Sequence, residues 1–295
     1  MIDEFLKNHG EYYNDKYFKD MTSLKMGGHI CHYVVPNTIN DVKEIIAYLK
    51  TNHVPFKVMG NGSNLVCGSS EFSGVILSLK NLNNYEINNT EIYAEAGVLV
   101  MGLCQHLAKE GLSGMEFASG IPGNVGGLVY MNAGAYRRSM SDVVKSVLVL
   151  KDNELVWLDN KECNFTYRHS IFGDHPHWVI IAAKLQLEHK PSEEIYALMR
   201  DRLERRKTSQ PLDKPSAGSC FRNPDNGFAW ELIDGIGYRG YKIGNVCVSN
   251  KHSNFIINDG DGCAEDYLKI AYEIIDKVKN KYGIKLIFEV EKFNC

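Results

Sequence analysis

Gly120-Ile121-Pro122-Gly123-Asn124-Val125-Gly126-Gly127 runs on to Asn132-Ala133-Gly134-Ala135-Tyr136. Five glycines fall within this span, and each costs folding entropy that an ordinary loop need not spend. The compensation this predicts is close approach of the backbone to a large flat or phosphorylated ligand. A plain glycine-rich crossover is the alternative. A second segment, Gly60-Asn61-Gly62-Ser63-Asn64-Leu65, follows an expected strand over 55–59. It offers N–H groups and short polar side chains to an anion, as phosphate-cradling turns do, and it also suits a tight β-turn. Leu65 stands where the dinucleotide fingerprint needs a third glycine, and no Lys-Ser/Thr pair follows. Neither a Rossmann motif nor a P-loop is present.

Around these segments the pattern is mixed helix and strand. Residues 40–52 read as an amphipathic helix capped by Asn40 or Asp41, with Val42, Ile45, Ile46 and Leu49 on one face. Strands are expected over 75–79 and 92–96. A helix over 99–109 should stop at Gly111. The stretch 143–189 is strand-rich. Pro191-Ser192 opens a helix through Ile195, Leu198, Met199 and Leu203. A strong helix over 264–282 places Leu268, Ala271, Ile275 and Val278 together and ends at Gly283. A final strand over 285–293 alternates Leu286, Phe288 and Val290 with Ile287, Glu289 and Glu291.

The bulk properties exclude several classes. The chain has 295 residues, a formal net charge of -3 and 44% apolar residues. That length suggests two or three compact units. No basic surface advertises nucleic acid. No apolar run approaches the ~20 residues of a membrane helix, and the N-terminus lacks a signal pattern. The eight cysteines contain no Cys-x-x-Cys pair, so no metal is expected and reduced thiols in a cytoplasmic protein are the plain reading.

Chemistry concentrates in three further places. Ser216-Ala217-Gly218-Ser219-Cys220-Phe221-Arg222-Asn223-Pro224 sets a hydroxyl beside a glycine, followed by an aromatic, a cation and an amide. Ser219 can donate or accept a proton, Asn223 can read a polar ligand, and Gly218 admits close approach. Phe165-Thr166-Tyr167-Arg168-His169-Ser170 places a fixed cation among aromatics, suited to a carboxylate or an enolate; an isolated arginine equally suits the surface. Glu289 lies on the strand face opposite Leu286, Phe288 and Val290, where a solvated carboxylate is the plain alternative. His175-Pro176-His177 reads as a turn and Cys220 as a small packed side chain.

Taken together, the chain resembles the UDP-N-acetylenolpyruvoylglucosamine reductase family. The resemblance runs from about Thr22 to Glu289. It includes Thr22-Ser23-Leu24-Lys25-Met26-Gly27-Gly28, both glycine segments, Tyr167-Arg168-x-Ser170-x-Phe172, Gln210-Pro211 and the Ser219 segment. It continues with Gly240-Tyr241-Lys242-Ile243-Gly244, Val248-Ser249-x-Lys251-His252-x-Asn254-Phe255 and Glu289-Val290. With no room for a tyrosine-bearing insertion, the chain resembles the shorter, type II form. Arg137 and Arg138 follow Tyr136 where the family commonly has glycine and a small or acidic pair.

The resemblance implies an α+β fold: a two-subdomain FAD-binding unit of the vanillyl-alcohol-oxidase-like (PCMH) type, over residues 1–84 and 85–190, and a C-terminal α+β substrate-binding domain over 191–295. It implies noncovalent FAD held by Gly60, Asn61, Gly62, Ser63, Asn64 and Leu65, and by Gly120, Ile121, Pro122, Gly123, Val125, Gly126 and Ala133. NADPH would be the co-substrate and UDP-N-acetylglucosamine enolpyruvate the substrate, in a cytoplasmic monomer of the peptidoglycan precursor route. Hydride would pass from NADPH to FAD and then to the enolpyruvyl β-carbon. Arg168 and Glu289 would stabilise the enolate-like charge, and Ser219 would protonate the α-carbon. Tyr167, Gln210 and Asn223 would contact substrate. Two other readings stand beside this one: another FAD-dependent oxidase of the same fold, and a catalytically silent nucleotide-sugar binding protein.

Overall fold

The computed structural model describes residues 2–295. The chain divides into two compact units that are interleaved in sequence. The first comprises the residues up to Asn14, His32–Asn61 and Gly74–Glu204; the second comprises Asp15–Cys31, Gly62–Ser73 and Arg205–Cys295.

The first unit carries two sheets over one core. One sheet orders the strands Gly10–Tyr13, His29–Pro36, Phe72–Ser78 and Phe56–Met59, the last two being parallel, with Phe56 opposite Val75. The helix Ile39–Thr51 buries Val42, Ile45, Ile46 and Leu49, the stripe its periodicity predicts. Its cap is Thr38 rather than Asn40 or Asp41. The Thr38 hydroxyl accepts from Asp41 N while the Asp41 carboxylate accepts from Thr38 N, a reciprocal capping box. Asp41 therefore sits one turn inside the helix.

The second sheet of this unit is antiparallel throughout, in the order Glu154–Asp159, Val144–Lys151, Val179–Gln186, Glu91–Glu95 and Tyr85–Asn88. The helix Val100–Lys109 buries Val100, Leu103, Cys104, Leu107 and Ala108. Gly111 follows at φ +67°, the left-handed stop that its position suggests.

The second unit has its own core of Leu24, Met26, Phe221, Tyr267, Ile270, Val278 and their neighbours. Its antiparallel sheet joins Lys242–Ile243, Val246–Val248 and Ile256–Asn258. The helix Ala264–Tyr282 buries Tyr267, Ile270, Ala271, Ile274 and Val278, and ends at Gly283 at φ 73°. The buried stripe is rotated from the expected one: Leu268 and Ile275 flank it and are only partly covered, because Tyr267 supplies the larger apolar surface. The helix Ser192–Ser209 runs across the division at Glu204. It buries Ile195 and Met199, while Leu198 and Leu203 remain exposed.

The expected final strand over 285–293 is shorter. Regular pairing covers only Glu291–Phe293, parallel to Leu65–Cys67. Before it, Phe288 makes a single bridge to Phe221. The chain changes partner between these two pairings, so Glu289 and Val290 lie in a bend. Among the described residues no helix is long and apolar enough to cross a membrane.

Candidate active site

In the first unit, the two glycine segments meet. The Asn61 amide donates to the Pro122 carbonyl at 3.1 Å. A Cβ on Gly60 would stand 3.1 Å from Asn124 Oδ1, a close contact to which the Asn124 side chain would have to yield. Asn124 is buried and spends its amide on the Gly97 carbonyl at 2.7 Å. Val125 N and Gly126 N donate to the Val98 and Ala96 carbonyls, both at 2.9 Å. Any contact these two make with a cofactor therefore passes through other atoms. Gly126 is required by packing, since its Cβ would meet that of Ala96 at 2.8 Å. Gly127 differs: a Cβ there would meet nothing within 4 Å, which leaves backbone open to a flat ring or a phosphate. Ala133 is buried, and its N–H and carbonyl are taken by Leu128 and Met140.

Arg168 is built onto the same glycine-rich region. Thr166 and His169 exchange two backbone hydrogen bonds, at 3.0 and 3.2 Å. Tyr167 and Arg168 thus form the tip of a tight turn, with Arg168 left-handed at φ 57°. The Arg168 guanidinium donates to the Gly134 carbonyl at 2.7 Å and lies over the exposed Tyr167 ring at 5.1 Å. The Asn132 amide donates to the Thr166 carbonyl at 2.8 Å, and its Oδ1 accepts from Ser141 N. Asn132 thereby ties the arginine turn to the glycine segment. The unusual pair Arg137-Arg138 belongs to a hairpin in which Ala135 is paired with Arg138. Tyr136 and Arg137 occupy its left-handed turn at φ 56° and 61°, and Arg138 pairs with Asp142 at 3.4 Å.

In the second unit, the Ser219 segment runs against residues 287–289. Glu289 N donates to the Cys220 carbonyl and Arg222 N to the Ile287 carbonyl, both at 2.9 Å. The structure thus brings Ser219 and Glu289 onto neighbouring backbone. Asn64, in the glycine turn, donates its amide to the Glu289 carbonyl at 3.1 Å. Gly62, at φ +60°, has no room for a side chain, since a Cβ would lie 2.4 Å from the Met21 carbonyl oxygen. Gly218, at φ +81°, faces open space, which suits approach of a ligand beside Ser219.

Sequence reasoning missed the clamp beneath Ser219. Asn254 is buried; its Oδ1 accepts from Phe221 N at 3.0 Å and its amide donates to the Phe221 carbonyl at 2.8 Å. Its own carbonyl accepts from Cys220 N at 2.7 Å. Asn254 N in turn donates to His252 Nδ1 at 3.2 Å, which requires that nitrogen to be unprotonated. Burial holds the His252 pKa down, aided by the Arg239 charge and opposed by Asp234. Asn254 was visible only as a letter in a motif; its partners lie 33 residues away. Cys220 is fully buried, and that burial pushes its thiol up to about 12, with the Glu289 charge adding to the effect. It stays a thiol and packs.

The expected substrate contacts differ in their surroundings. Asn223 spends its Oδ1 on Ala229 N at 3.0 Å, at the start of the helix Ala229–Gly235. Gln210 has a buried side-chain oxygen with no hydrogen-bond partner among the described residues. Such an orphaned acceptor is costly unless something donates to it. Arg168 and Tyr167 belong to the first unit, and Ser219, Gln210, Asn223 and Glu289 to the second.

Comparisons with known proteins identify the family. Residues 31–159 match the family described as FAD binding domain. Residues 210–293 match the C-terminal domain of UDP-N-acetylenolpyruvoylglucosamine reductase. The chain is 40% identical over 291 residues to UDP-N-acetylenolpyruvoylglucosamine reductase of Caldanaerobacter subterraneus, covering 98% of this chain and 96% of that one. It is 38% identical to the Clostridium beijerinckii protein of the same name, covering 97% and 98%. The crystal structure of UDP-N-acetylenolpyruvylglucosamine reductase from Thermus caldophilus superposes with a TM-score of 0.82 at 31% identity, covering 96% of this chain and 98% of that one. Phl p 4.0202, a glucose dehydrogenase, shares the fold alone, at a TM-score of 0.51 and 13% identity over 64% of this chain and 44% of that one.

Proposed function

Because this chain belongs to the UDP-N-acetylenolpyruvoylglucosamine reductase family, we propose that it reduces UDP-N-acetylglucosamine enolpyruvate to UDP-N-acetylmuramate with NADPH. It is an FAD-dependent oxidoreductase of the vanillyl-alcohol-oxidase-like fold with a C-terminal α+β domain. The observation that carries the substrate reading is the pairing of the Ser219 segment with Glu289, clamped by Asn254.

The residues fit a flavin. Asn61 joins the two glycine segments, and the open backbone at Gly127 leaves room that a side chain would otherwise fill. FAD, when bound, supplies the hydride relay between the nicotinamide and the enolpyruvyl group. The chain's own side chains handle charge and the proton. As hydride reaches the β-carbon, the carbon–carbon double bond opens and negative charge spreads onto the substrate carboxylate. Arg168 meets that charge with a planar guanidinium held in place by the Gly134 carbonyl. Glu289 joins Arg168 at that charge as a hydrogen-bonding partner. The Ser219 hydroxyl gives its proton to the α-carbon, and the resulting alkoxide is reprotonated from solvent. A serine is a weak acid, and an enolate-like carbanion is basic enough to take its proton.

Gln210 is the substrate contact best supported by its surroundings, since its orphaned oxygen requires a donor. The reading keeps Tyr167 and Asn223 as further contacts and the glycine segments as the cofactor cradle. It divides the work among residues 1–84, 85–190 and 191–295. It places the enzyme as a monomer in the cytoplasm, where its thiols stay reduced; all eight cysteines are free. The test is the visible spectrum of the purified protein. A flavin spectrum should bleach on anaerobic addition of NADPH and return on addition of UDP-N-acetylglucosamine enolpyruvate. A flavin that returns only with oxygen would overturn the substrate assignment, and a colourless protein would overturn the whole reading.

A further inference from the structure

We propose that His29, Cys31 and Glu71 form a binding site for a divalent transition metal of the zinc class. All three residues lie in the second unit, and none is among those assigned to catalysis. His29 and Cys31 stand two residues apart on the strand His29–Pro36 and therefore share a face. Glu71 comes from the loop that leads into the strand Phe72–Ser78. One ligand atom from each, the His29 Nδ1 or Nε2, the Cys31 Sγ and a Glu71 carboxylate oxygen, lies within 4.8 Å of the others. His29 Nδ1 and Glu71 Oε2 are already 2.9 Å apart, and Cys31 is hydrogen-bonded to the same carboxylate.

The spacing suits tetrahedral coordination. With zinc–nitrogen and zinc–oxygen bonds of about 2.0 Å and zinc–sulfur of about 2.3 Å, neighbouring ligand atoms stand roughly 3.3–3.6 Å apart. Glu71 now joins the other two through protons, and a cation would take the place of those protons. The Cys31 thiol would lose its proton to solvent, leaving a thiolate, an imidazole and a carboxylate. This donor set favours zinc, cobalt or nickel over the hard cations magnesium and calcium.

The backbone fixes the three groups in advance. Gly28 N donates to the Gly68 carbonyl at 2.9 Å. A Cβ on Gly28 would lie 2.3 Å from the Ser69 carbonyl oxygen and 2.6 Å from that of Ser70. The residue before His29 is thus pressed onto the residues before Glu71, and only glycine permits it. The Tyr17 ring packs edge-on against His29 at 5.2 Å and limits its rotation. Three protein ligands leave a fourth position for water, as in open zinc sites. The Glu71 side chain is 60% exposed, which gives a path of entry. A bound ion would join two stretches that are distant in sequence, Asp15–Cys31 and Gly62–Ser73.

The experiment is calorimetric titration of zinc sulfate into the full flavin-loaded protein after dialysis against a chelator. Wild type should bind one equivalent. Cys31→Ser and Glu71→Gln should each raise Kd at least about tenfold, the scale on which metal sites respond to lost partners. Cys295→Ser, at an exposed cysteine, should leave Kd unchanged. Glu71→Gln alters an exposed side chain and keeps the test meaningful should Cys31→Ser fail to fold. Zinc-edge X-ray absorption of the wild-type complex should show one sulfur at about 2.3 Å beside lighter ligands at about 2.0–2.1 Å. Absence of saturable one-to-one binding, equal Kd for wild type and Glu71→Gln, or a zinc shell without sulfur would each overturn the assignment.

Discussion

The backbone N–H of Glu289 donates to the carbonyl of Cys220 at 2.9 Å, which places the carboxylate-bearing residue one register position from Ser219. Glu289 and Ser219, the residues proposed as carboxylate and proton donor, are therefore fixed to each other by main chain.

Ser219→Ala should separate the two halves of the reaction. Flavin reduction by NADPH should proceed at a near-normal rate. Reoxidation by the enolpyruvyl substrate should fall by about 10²–10⁴-fold, the range for loss of a general acid. Stopped-flow absorbance reads both steps. Collapse of the reductive step with reoxidation intact would assign Ser219 to the wrong half.

Arg168→Lys keeps the charge but loses the planar fork that donates to Gly134. It should cost about 1.5–3 kcal/mol of transition-state stabilisation in reoxidation, the scale of a charge-assisted hydrogen bond. Glu289→Gln should impair the same step. If both residues act on one developing charge, the double variant should lose less than the sum of the two. Strict additivity would mean that they act independently.

Gly62→Ala forces a side chain into a left-handed position and against the Met21 carbonyl. The left-handed conformation alone costs about 1–2 kcal/mol, so the measured loss in urea unfolding should exceed that, with weaker flavin retention. A variant with wild-type stability and full flavin would contradict the close approach seen here.

Asn254→Ala removes both side-chain hydrogen bonds to Phe221. Buried backbone groups left without partners cost about 1–3 kcal/mol each, so a loss of about 2–6 kcal/mol is expected, with reoxidation slowed more than flavin reduction. Unequal effects on the two half-reactions would separate a positioning role for Ser219 from general destabilisation.

Burial pushes the thiols of Cys104, Cys163 and Cys220 up to about 12. Their pKa is thus higher in the folded chain than in the unfolded one, where thiols titrate near 8.5. The protonated thiols therefore contribute stability that is fully present below about pH 8.5 and lost as pH rises toward 12. Denaturation midpoints should hold steady up to that lower pH and then decline. A thiol reagent at pH 8 should label the exposed Cys295 first and reach these three only on unfolding.

Local features were legible wherever one residue decides them. Gly283 ends its helix in the left-handed region, and the alternation around Glu289 matches the burial of Leu286 and Val290. The cap of the helix Ile39–Thr51 was misplaced because Thr38, Asn40 and Asp41 are all good capping residues, and only the reciprocal bonds choose among them. What sequence spacing could not supply was partnership at a distance. Asn254 with Phe221, Asn64 with Glu289 and Asn132 with Thr166 each join residues whose proximity the fold alone creates. The interleaving of the two compact units was hidden for the same reason, because three separate stretches of chain build each of them.

That interleaving bears on how the protein is made. Among the described residues, the strand Leu65–Cys67 finds its parallel partner only in Glu291–Phe293. On the ribosome it emerges more than two hundred residues ahead of that partner. Leu65–Cys67, and Leu24 and Met26, whose core is completed by residues 217–290, must therefore wait for their partners through nearly the whole of synthesis. Chaperone dependence should concentrate in this interval, and a stall late in translation should leave these early segments open to proteolysis.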